Sequence, residues 1–351
     1  MPLNLIDIII PVHNGEAFIK EALTAAIEIS DSIGCGIIVS LNACTDKTDE
    51  IISKIGHSSI KKIYTSSFIN ATENYFNCLL KSDAEYVVLC GADDILDSFG
   101  QKELMNFAER NKIKPPIIFG YDEVIDINGI MRRSHKFKKY WLNLTKEKII
   151  KNAFGGYNPN LNGAWINRKL AIKCYNKNKK MFTDPLLKLQ RVSDLILWNC
   201  FAIQILSSFG ATGFQYLPVR QILYREYFKH ELKIKGDLTV KLSNHGRLAF
   251  LEYVNATYSH LFETQKKYAS YGIKKYARNN FLIIFGFEDY QNALLIYKNL
   301  DSQGNLFVTE KMATFFMQNR YFGSIVLSFY KSRNFISLLV NRIKFAFKVQ
   351  I

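Results

Sequence analysis

Two adjacent carboxylates, Asp93 and Asp94, follow Gly91-Ala92 directly after the apolar run Tyr86 to Cys90. Side by side, two acids repel each other unless donors or a cation compensate them. A hard divalent ion often provides that compensation, taking one or two carboxylates from the protein and oxygens from substrate phosphates. The plainer alternative is that one of the two caps a helix beginning near residue 97. Two more polar clusters occupy the same kind of position. Pro11-Val12-His13-Asn14-Gly15-Glu16 and Asn42-Ala43-Cys44-Thr45-Asp46 each close an apolar run. Asp46 also reads as a helix cap, because helical spacing begins just beyond it.

The elements around these clusters follow from periodicity. Leu5 to Val12 and Gly36 to Leu41 are short, nearly continuous apolar runs, the pattern of strands buried on both faces. Ile60 to Thr65 and Tyr86 to Cys90 read as two further strands. Glu16 to Ile29, Asp49 to Ile55 and Asn70 to Leu80 carry apolar residues at helical spacing. Strand-helix alternation over one hundred residues predicts a doubly wound, mostly parallel α/β sheet, Rossmann-like in its first half. In such sheets ligands bind beyond the carboxyl ends of the strands, where all three polar clusters fall. Further on, Lys102 to Asn111 is expected to be a helix and Pro116 to Tyr121 a strand. Residues 122–190 are expected to be irregular, and Val192 to Leu206 and much of the chain beyond 236 helical.

Composition narrows the class. With 351 residues and 48% hydrophobic content, the chain has ample material for a core. The six cysteines include no CxxC pair, which argues against a zinc site or a disulfide framework. The opening residues read as a strand rather than an export signal, and no run of about 18 apolar residues occurs. A cytoplasmic location is expected. Charge is unevenly spread: residues 1–100 carry 6 Lys/Arg against 14 Asp/Glu, and residues 101–351 carry 40 against 17. That later excess suits an anionic partner, or else solvated lysine-rich faces. No nucleic-acid-binding motif accompanies it, and no nucleic-acid partner is expected.

Taken in order, P-V-H-N-G-E, N-A-C-T-D-K-T and G-A-D-D-I-L resemble the family 2 glycosyltransferases of GT-A fold. The resemblance spans roughly residues 4–230. It implies inverting transfer of a sugar from a nucleoside diphosphate sugar, UDP-linked by default, to an acceptor hydroxyl, with a divalent metal (Mn or Mg) as cofactor. By that likeness Pro11, His13, Asn14, Glu16, Asn42, Asp46 and Asp93 contact the nucleotide, Arg225 grips the diphosphate, and Asp94, Asp93 and His230 hold the metal. Asn158, Asn160, Asn162, Gly163 and Trp165 line the donor sugar and acceptor. Asp194, in S-D-L-I-L-W, is the implied general base, with Asp184 in reserve. Two departures stand out: Leu41-Asn42 replaces paired acids in the second loop, and Gly91 replaces the first acid of a D-x-D.

The resulting division is a donor-binding half over 1–100, an acceptor-binding and catalytic half over 101–235, and a helical, basic, aromatic region over 236–351. Lys311 to Ile351 holds seven basic residues, no acid and many Phe, a pattern that suits a membrane surface or a helix packed on the catalytic domain. With the membrane reading, the protein sits peripherally at the inner face of the cell membrane. The acceptor is then a glycan or lipid-linked glycan of bacterial surface polysaccharide assembly. Two rivals stay open. A nucleotidyltransferase would open with a Gly-rich basic loop, whereas residues 13–20 hold one Gly and one Lys. A non-catalytic basic adaptor on a membrane would need neither Asp93 nor Asp94.

Overall fold

The computed structural model describes residues 5–111, 114–134, 145, 148–149, 160–183, 201–202 and 204–226, with backbone alone from 178 to 183. The chain divides into two units, Met1–Lys233 and Ile234–Ile351, and every described residue lies in the first. Asp194, Asp184, Asn158, His230, most of Val192 to Leu206 and the whole basic C-terminal region lie outside the described residues. Among those described, no helix is long and apolar enough to cross a membrane.

The apolar runs become the parallel half of a nine-stranded sheet. β1 (Ile6–Val12) pairs in parallel with β2 (Gly36–Asn42) on one side and β4 (Tyr86–Leu89) on the other. β3 (Ile60–Thr65) extends the sheet beyond β2, also in parallel. Burial on both faces of β1 explains why its sequence lacks the polar alternation of a half-solvated strand. The strand order reverses beside β1, so a crevice opens at its carboxyl end.

The helices end where local chemistry stops them. α1 (Ile19–Ile33) and α2 (Thr48–Ile55) finish on left-handed glycines, Gly34 (φ 71°) and Gly56 (φ 59°). α3 (Ala71–Lys81) begins with a capping box, in which Asn70 and Glu73 satisfy each other's backbone N–H. α4 (Ser98–Arg110) follows the short strand β5 (Ile95–Leu96) and is capped by Asp97, which accepts from Gly100 N–H at 2.7 Å. That cap removes the plain reading of Asp93 and Asp94 as helix caps.

The second half of the sheet is mixed. β6 (Ile117–Ile125) pairs in parallel with β9 (Phe214–Arg225) and antiparallel with β7 (Met131–Ser134) and β8 (Trp165–Asn167). β8 joins the halves by pairing antiparallel with β4, and β5 lies antiparallel on β9. The expectation of irregular structure over 122–190 is thereby corrected. That stretch holds the end of β6, β7, β8 and α5 (Arg168–Thr183). α5 is rich in Lys and Asn, which masks its helical period. It is anchored by buried Ala171, Cys174 and Tyr175, and the Tyr175 ring stacks on Phe76 of α3 at 3.5 Å.

Candidate active site

Loops after β1, β2 and β4 meet at the carboxyl edge of the sheet. The first two are zipped together by their own polar groups. Asn14 Oδ1 accepts from Thr45 N–H (2.8 Å), Gly15 N–H donates to Thr48 Oγ1 (2.8 Å), Glu16 N–H donates to Asp46 Oδ2 (2.9 Å), and Glu16 Oε2 accepts from Lys47 N–H (3.0 Å). His13 donates from Nδ1 to the Asn42 carbonyl at 2.7 Å, which fixes its ring and tautomer. Each loop holds one non-glycine residue in the left-handed region, Asn14 (φ 52°) and Ala43 (φ 46°). Strain of this kind persists only where surrounding bonds impose it, and it concentrates at functional sites.

Several of the residues expected to touch a nucleotide are occupied otherwise. Asn42 is 2% exposed, and its amide braces the segment after β3, donating to Ile69 O (2.7 Å) and accepting from Ile69 N–H (3.0 Å) and Thr65 Oγ1 (3.2 Å). Its expected approach to a base is therefore corrected to a brace for residues 65–69. Asp46 accepts from the Thr48 N–H and hydroxyl at the start of α2. Burial pulls its carboxyl upward, but these bonds and the Glu16 N–H outweigh burial and hold it below the usual carboxylate range. Asp46 ties the loop after β1 to the first residue of α2. His13, Asn14 and Glu16 remain exposed at the mouth, and Pro11 is half-buried on β1 opposite Ser40.

The carboxylate pair divides in two. Asp94 is 1% exposed, with Oδ1 accepting from Arg225 N–H (2.8 Å) and Oδ2 from Asn162 Nδ2 (2.6 Å). Burial, and then the neighbouring Asp93 charge, push its carboxyl well above the usual range, against the pull of those two donors and of the Arg225 charge. Asp93 is partly exposed on the same turn. Gly91 makes room for both: a β-carbon there would lie 2.6 Å from Asp94 Oδ2 and 3.0 Å from Asp93 Oδ1.

Arg225 ends β9 and is 3% exposed. Its Nε donates to Asp93 O (2.8 Å), Nη1 to Asp126 O (3.0 Å) and Ile127 O (3.1 Å), and Nη2 to Glu21 (2.6 Å), while the guanidinium lies 4.5 Å over the Phe18 ring. With every branch of its fork engaged, Arg225 pins the Asp93-Asp94 turn in this structure.

Asn162 is held from behind. Gly163 N–H donates to Leu89 O (2.7 Å) at φ 83°, and Gln221 Nε2 donates to Asn160 O (3.0 Å) and Asn162 O (2.9 Å). Gln101 donates to Gly163 O (2.9 Å) and Gln221 O (3.0 Å), and accepts from the Trp165 indole (2.8 Å). Trp165 is fully buried, so its expected place along the ligand surface is corrected to support of the 160–163 turn. The structure thus brings Asp93, Asp94, Asn162 and Arg225 together. Gln101, Gln221, Phe18 and Glu21 complete the arrangement, with nothing in their local sequence to mark them.

These loops belong to a segment with a known pattern: residues 7–175 match the profile of glycosyl transferase family 2. The chain carries a family 2 glycosyltransferase domain. It is a glycosyltransferase, and its α/β sheet is of the GT-A type. Among solved structures, TarS residues 1–349 of S. aureus with UDP-GlcNAc is similar at 13% identity and TM-score 0.48, over 84% of this chain and 86% of that one. Glucosyl-3-phosphoglycerate synthase from Mycobacterium tuberculosis, with Mn2+, UDP-glucose and phosphoglyceric acid, is similar at 13% identity and TM-score 0.43, over 70% and 80%. Similarities this distant leave the assignment resting on the matched segment. No curated protein sequence matches the chain.

The carboxylate pair is of the chemistry that suits a hard divalent cation. Among the described residues no group of three or more His, Cys, Asp or Glu side chains converges as a closed metal cage. A half-exposed Asp93 beside a buried Asp94 fits the other mode, in which a hard cation takes a single protein carboxylate and completes its shell with phosphate oxygens and water.

Proposed function

We propose that this glycosyltransferase moves a sugar from a nucleoside diphosphate sugar to an acceptor hydroxyl with inversion at the anomeric carbon, assisted by a divalent cation at Asp93. The observation that carries the proposal is the convergence of Asp93 and Asp94 at the sheet's switch point, pinned by Asn162 and Arg225. UDP-sugars are the first donors to test, in keeping with the family resemblance. When bound, the cation supplies charge neutralisation for the departing diphosphate.

The chain's own residues do the rest. The loops after β1 and β2 hold the nucleoside, through the exposed His13, Asn14 and Glu16. The Asn162-Asp94-Arg225 linkage fixes the turn that presents Asp93. The acceptor oxygen attacks the anomeric carbon as the bond to the diphosphate breaks, and the acceptor proton passes to a general base, assigned to Asp194. Asn158 and Asn160 are assigned to the donor sugar and acceptor, and His230 to the metal shell. The acceptor is proposed to be a glycan or lipid-linked glycan of surface polysaccharide assembly. The basic, aromatic stretch after Lys311 is proposed to hold the enzyme peripherally at the cytoplasmic face of the membrane.

Calorimetric titration of UDP into the protein tests the donor site. Binding is expected with Mn2+ or Mg2+, is expected to be lost in chelator, and is expected to weaken at least tenfold in Asp93→Asn. Folded protein that binds UDP equally well with metal or chelator refutes the metal assignment. Folded protein that binds no nucleotide under any condition refutes the donor site itself.

A further inference from the structure

The hairpin of β6 and β7 carries three large apolar side chains that its turn does not need. Ile127 is 36% exposed, Ile130 54% and Met131 46%. Other residues close the turn. Asp126 Oδ1 accepts from the Asn128 N–H (2.9 Å) and the Ile130 N–H (3.0 Å), and Gly129 takes the left-handed φ of 78°. Asp, Asn and Gly supply what a tight turn demands, and nothing in that chemistry calls for isoleucine. Isolated exposed apolar residues need no explanation, whereas a group of them rimmed by polar residues marks an interaction surface.

Charge says which partner fits. Arg132 pairs with Asp126 and Arg133 with Glu226, and both arginines stay about half exposed. The acids nearest the tip are thus neutralised. In the sequence, no Asp or Glu follows Asp126 until Glu147, while six Lys or Arg fall between. An apolar tip backed by cationic chain matches a bilayer rich in anionic lipid, where apolar side chains dip below headgroups that attract the basic ones. A second copy pairing along β7 would set Arg132 and Arg133 against their own counterparts, which disfavours that occupant.

The tip is also tied to the acid turn. Arg225 Nη1 donates to the carbonyls of Asp126 (3.0 Å) and Ile127 (3.1 Å), and its Nε to that of Asp93 (2.8 Å). One buried side chain thus links the hairpin to the residue proposed to hold the metal.

Resting on the proposed function, we infer that the β6–β7 hairpin, through Ile127, Ile130 and Met131, is a membrane-surface contact of the catalytic unit, separate in sequence from the basic stretch after Lys311. It docks on anionic bilayers and presents the acid turn to acceptors carried in that surface.

The test is flotation of the full chain, without nucleotide, on vesicles of phosphatidylcholine alone or mixed with phosphatidylglycerol. The wild type is compared with the double variant Ile130→Glu with Met131→Glu, and with Ile130→Trp. The wild type is expected to float with the mixed vesicles only. The double variant is expected to lose at least about tenfold in vesicle affinity, since each charge near an anionic surface is worth about fivefold and apolar burial is lost as well. Thermal melting should show it folded, and calorimetry should show wild-type affinity for UDP with Mn2+. Ile130→Trp is expected to float at least as well, with fluorescence quenched by brominated acyl chains beyond the quenching of the wild type. Equal flotation of the wild type and the folded double variant overturns the inference and leaves the membrane reading of the C-terminal stretch standing. A wild type that floats with neither vesicle overturns both. A solution dimer that the double variant dissolves, without vesicle binding, assigns the hairpin to a second copy and overturns the inference too. Flotation reads the hairpin and calorimetry the donor site, so the two readings fail separately.

Discussion

Replacing Arg225 by lysine separates two roles for that side chain. A diphosphate clamp would leave the folded state untouched and lower nucleotide affinity. A structural pin does the reverse. The guanidinium donates to three backbone carbonyls, those of Asp93, Asp126 and Ile127, and to Glu21. An ammonium keeps the charge but radiates from one point and cannot span this set. Two of the three carbonyl bonds are expected to be lost, at about 1–2 kcal/mol each for buried acceptors left unmet. The Glu21 pair adds little, since that carboxylate side chain is 51% exposed. The total is about 2–4 kcal/mol, which lowers the melting point of a domain of this size by roughly 5–15 °C. Total stabilities of about 5–15 kcal/mol leave the variant folded at room temperature. The assay is a thermal melt of Arg225→Lys beside the wild type, with UDP affinity measured on both. A melting point within about 2 °C of wild type, together with a tenfold loss of UDP affinity, would refute the pin and restore the clamp.

Two further perturbations probe the same edge of the sheet. Gly91→Ala places a β-carbon 2.6 Å from Asp94 Oδ2, closer than real contacts allow, so the acid turn must shift. Overpacking of this kind costs about 1–3 kcal/mol, and metal-dependent UDP binding measured by calorimetry should weaken by roughly 5- to 150-fold. Cys44 is the half-exposed cysteine of the loop after β2, whereas Cys35, Cys78, Cys90 and Cys174 are buried. Burial raises the Cys44 thiol, and burial pushes Cys35 and Cys78 up to about 12. The reactive thiolate is therefore scarce at neutral pH and becomes more abundant as pH rises. Peptide mass spectrometry after brief iodoacetamide treatment should find Cys44 labelled ahead of those four, faster at pH 9 than at pH 7, and protected by UDP with Mn2+.

The parts legible in the sequence are those set by short-range rules. β1, β3 and α3 follow from short apolar runs, helical spacing and turn residues, all read within a few positions. The polar clusters at the strand ends stood out because parallel sheets bring such loops together. What stayed hidden depends on distant partners. β9 reads FQYLPVRQILYR, with two arginines and a proline, and becomes a strand because β6 lies alongside it, Ile117 opposite Phe214. β8 is three residues long and is defined by neighbours on both sides. Gln101 and Gln221 look like ordinary polar residues, yet they are buried and carry the turn that presents Asn162. The same limit explains Asn42, Trp165 and Arg225. Their residue types suited ligand contact, and only the folded chain shows that their polar groups are already used within the protein.

The glycine at position 91 then takes on a different meaning. Read along the sequence, it is a missing first acid, a weakness in an otherwise familiar metal motif. In the folded turn, the space its side chain would fill is taken by the Asp94 and Asp93 carboxylates. An acid at 91 is incompatible with that placement, so the turn cannot keep both its present geometry and a D-x-D. Asp94 is buried between the Arg225 N–H and the Asn162 amide and acts as a fastener. Asp93 alone keeps a face toward solvent. A buried carboxylate held by two neutral donors and raised by its neighbour's charge is stabilised further when a cation comes to the turn. On the proposed function, metal affinity is therefore expected to depend on the integrity of the Asn162 and Arg225 contacts, through a residue that need not touch the metal.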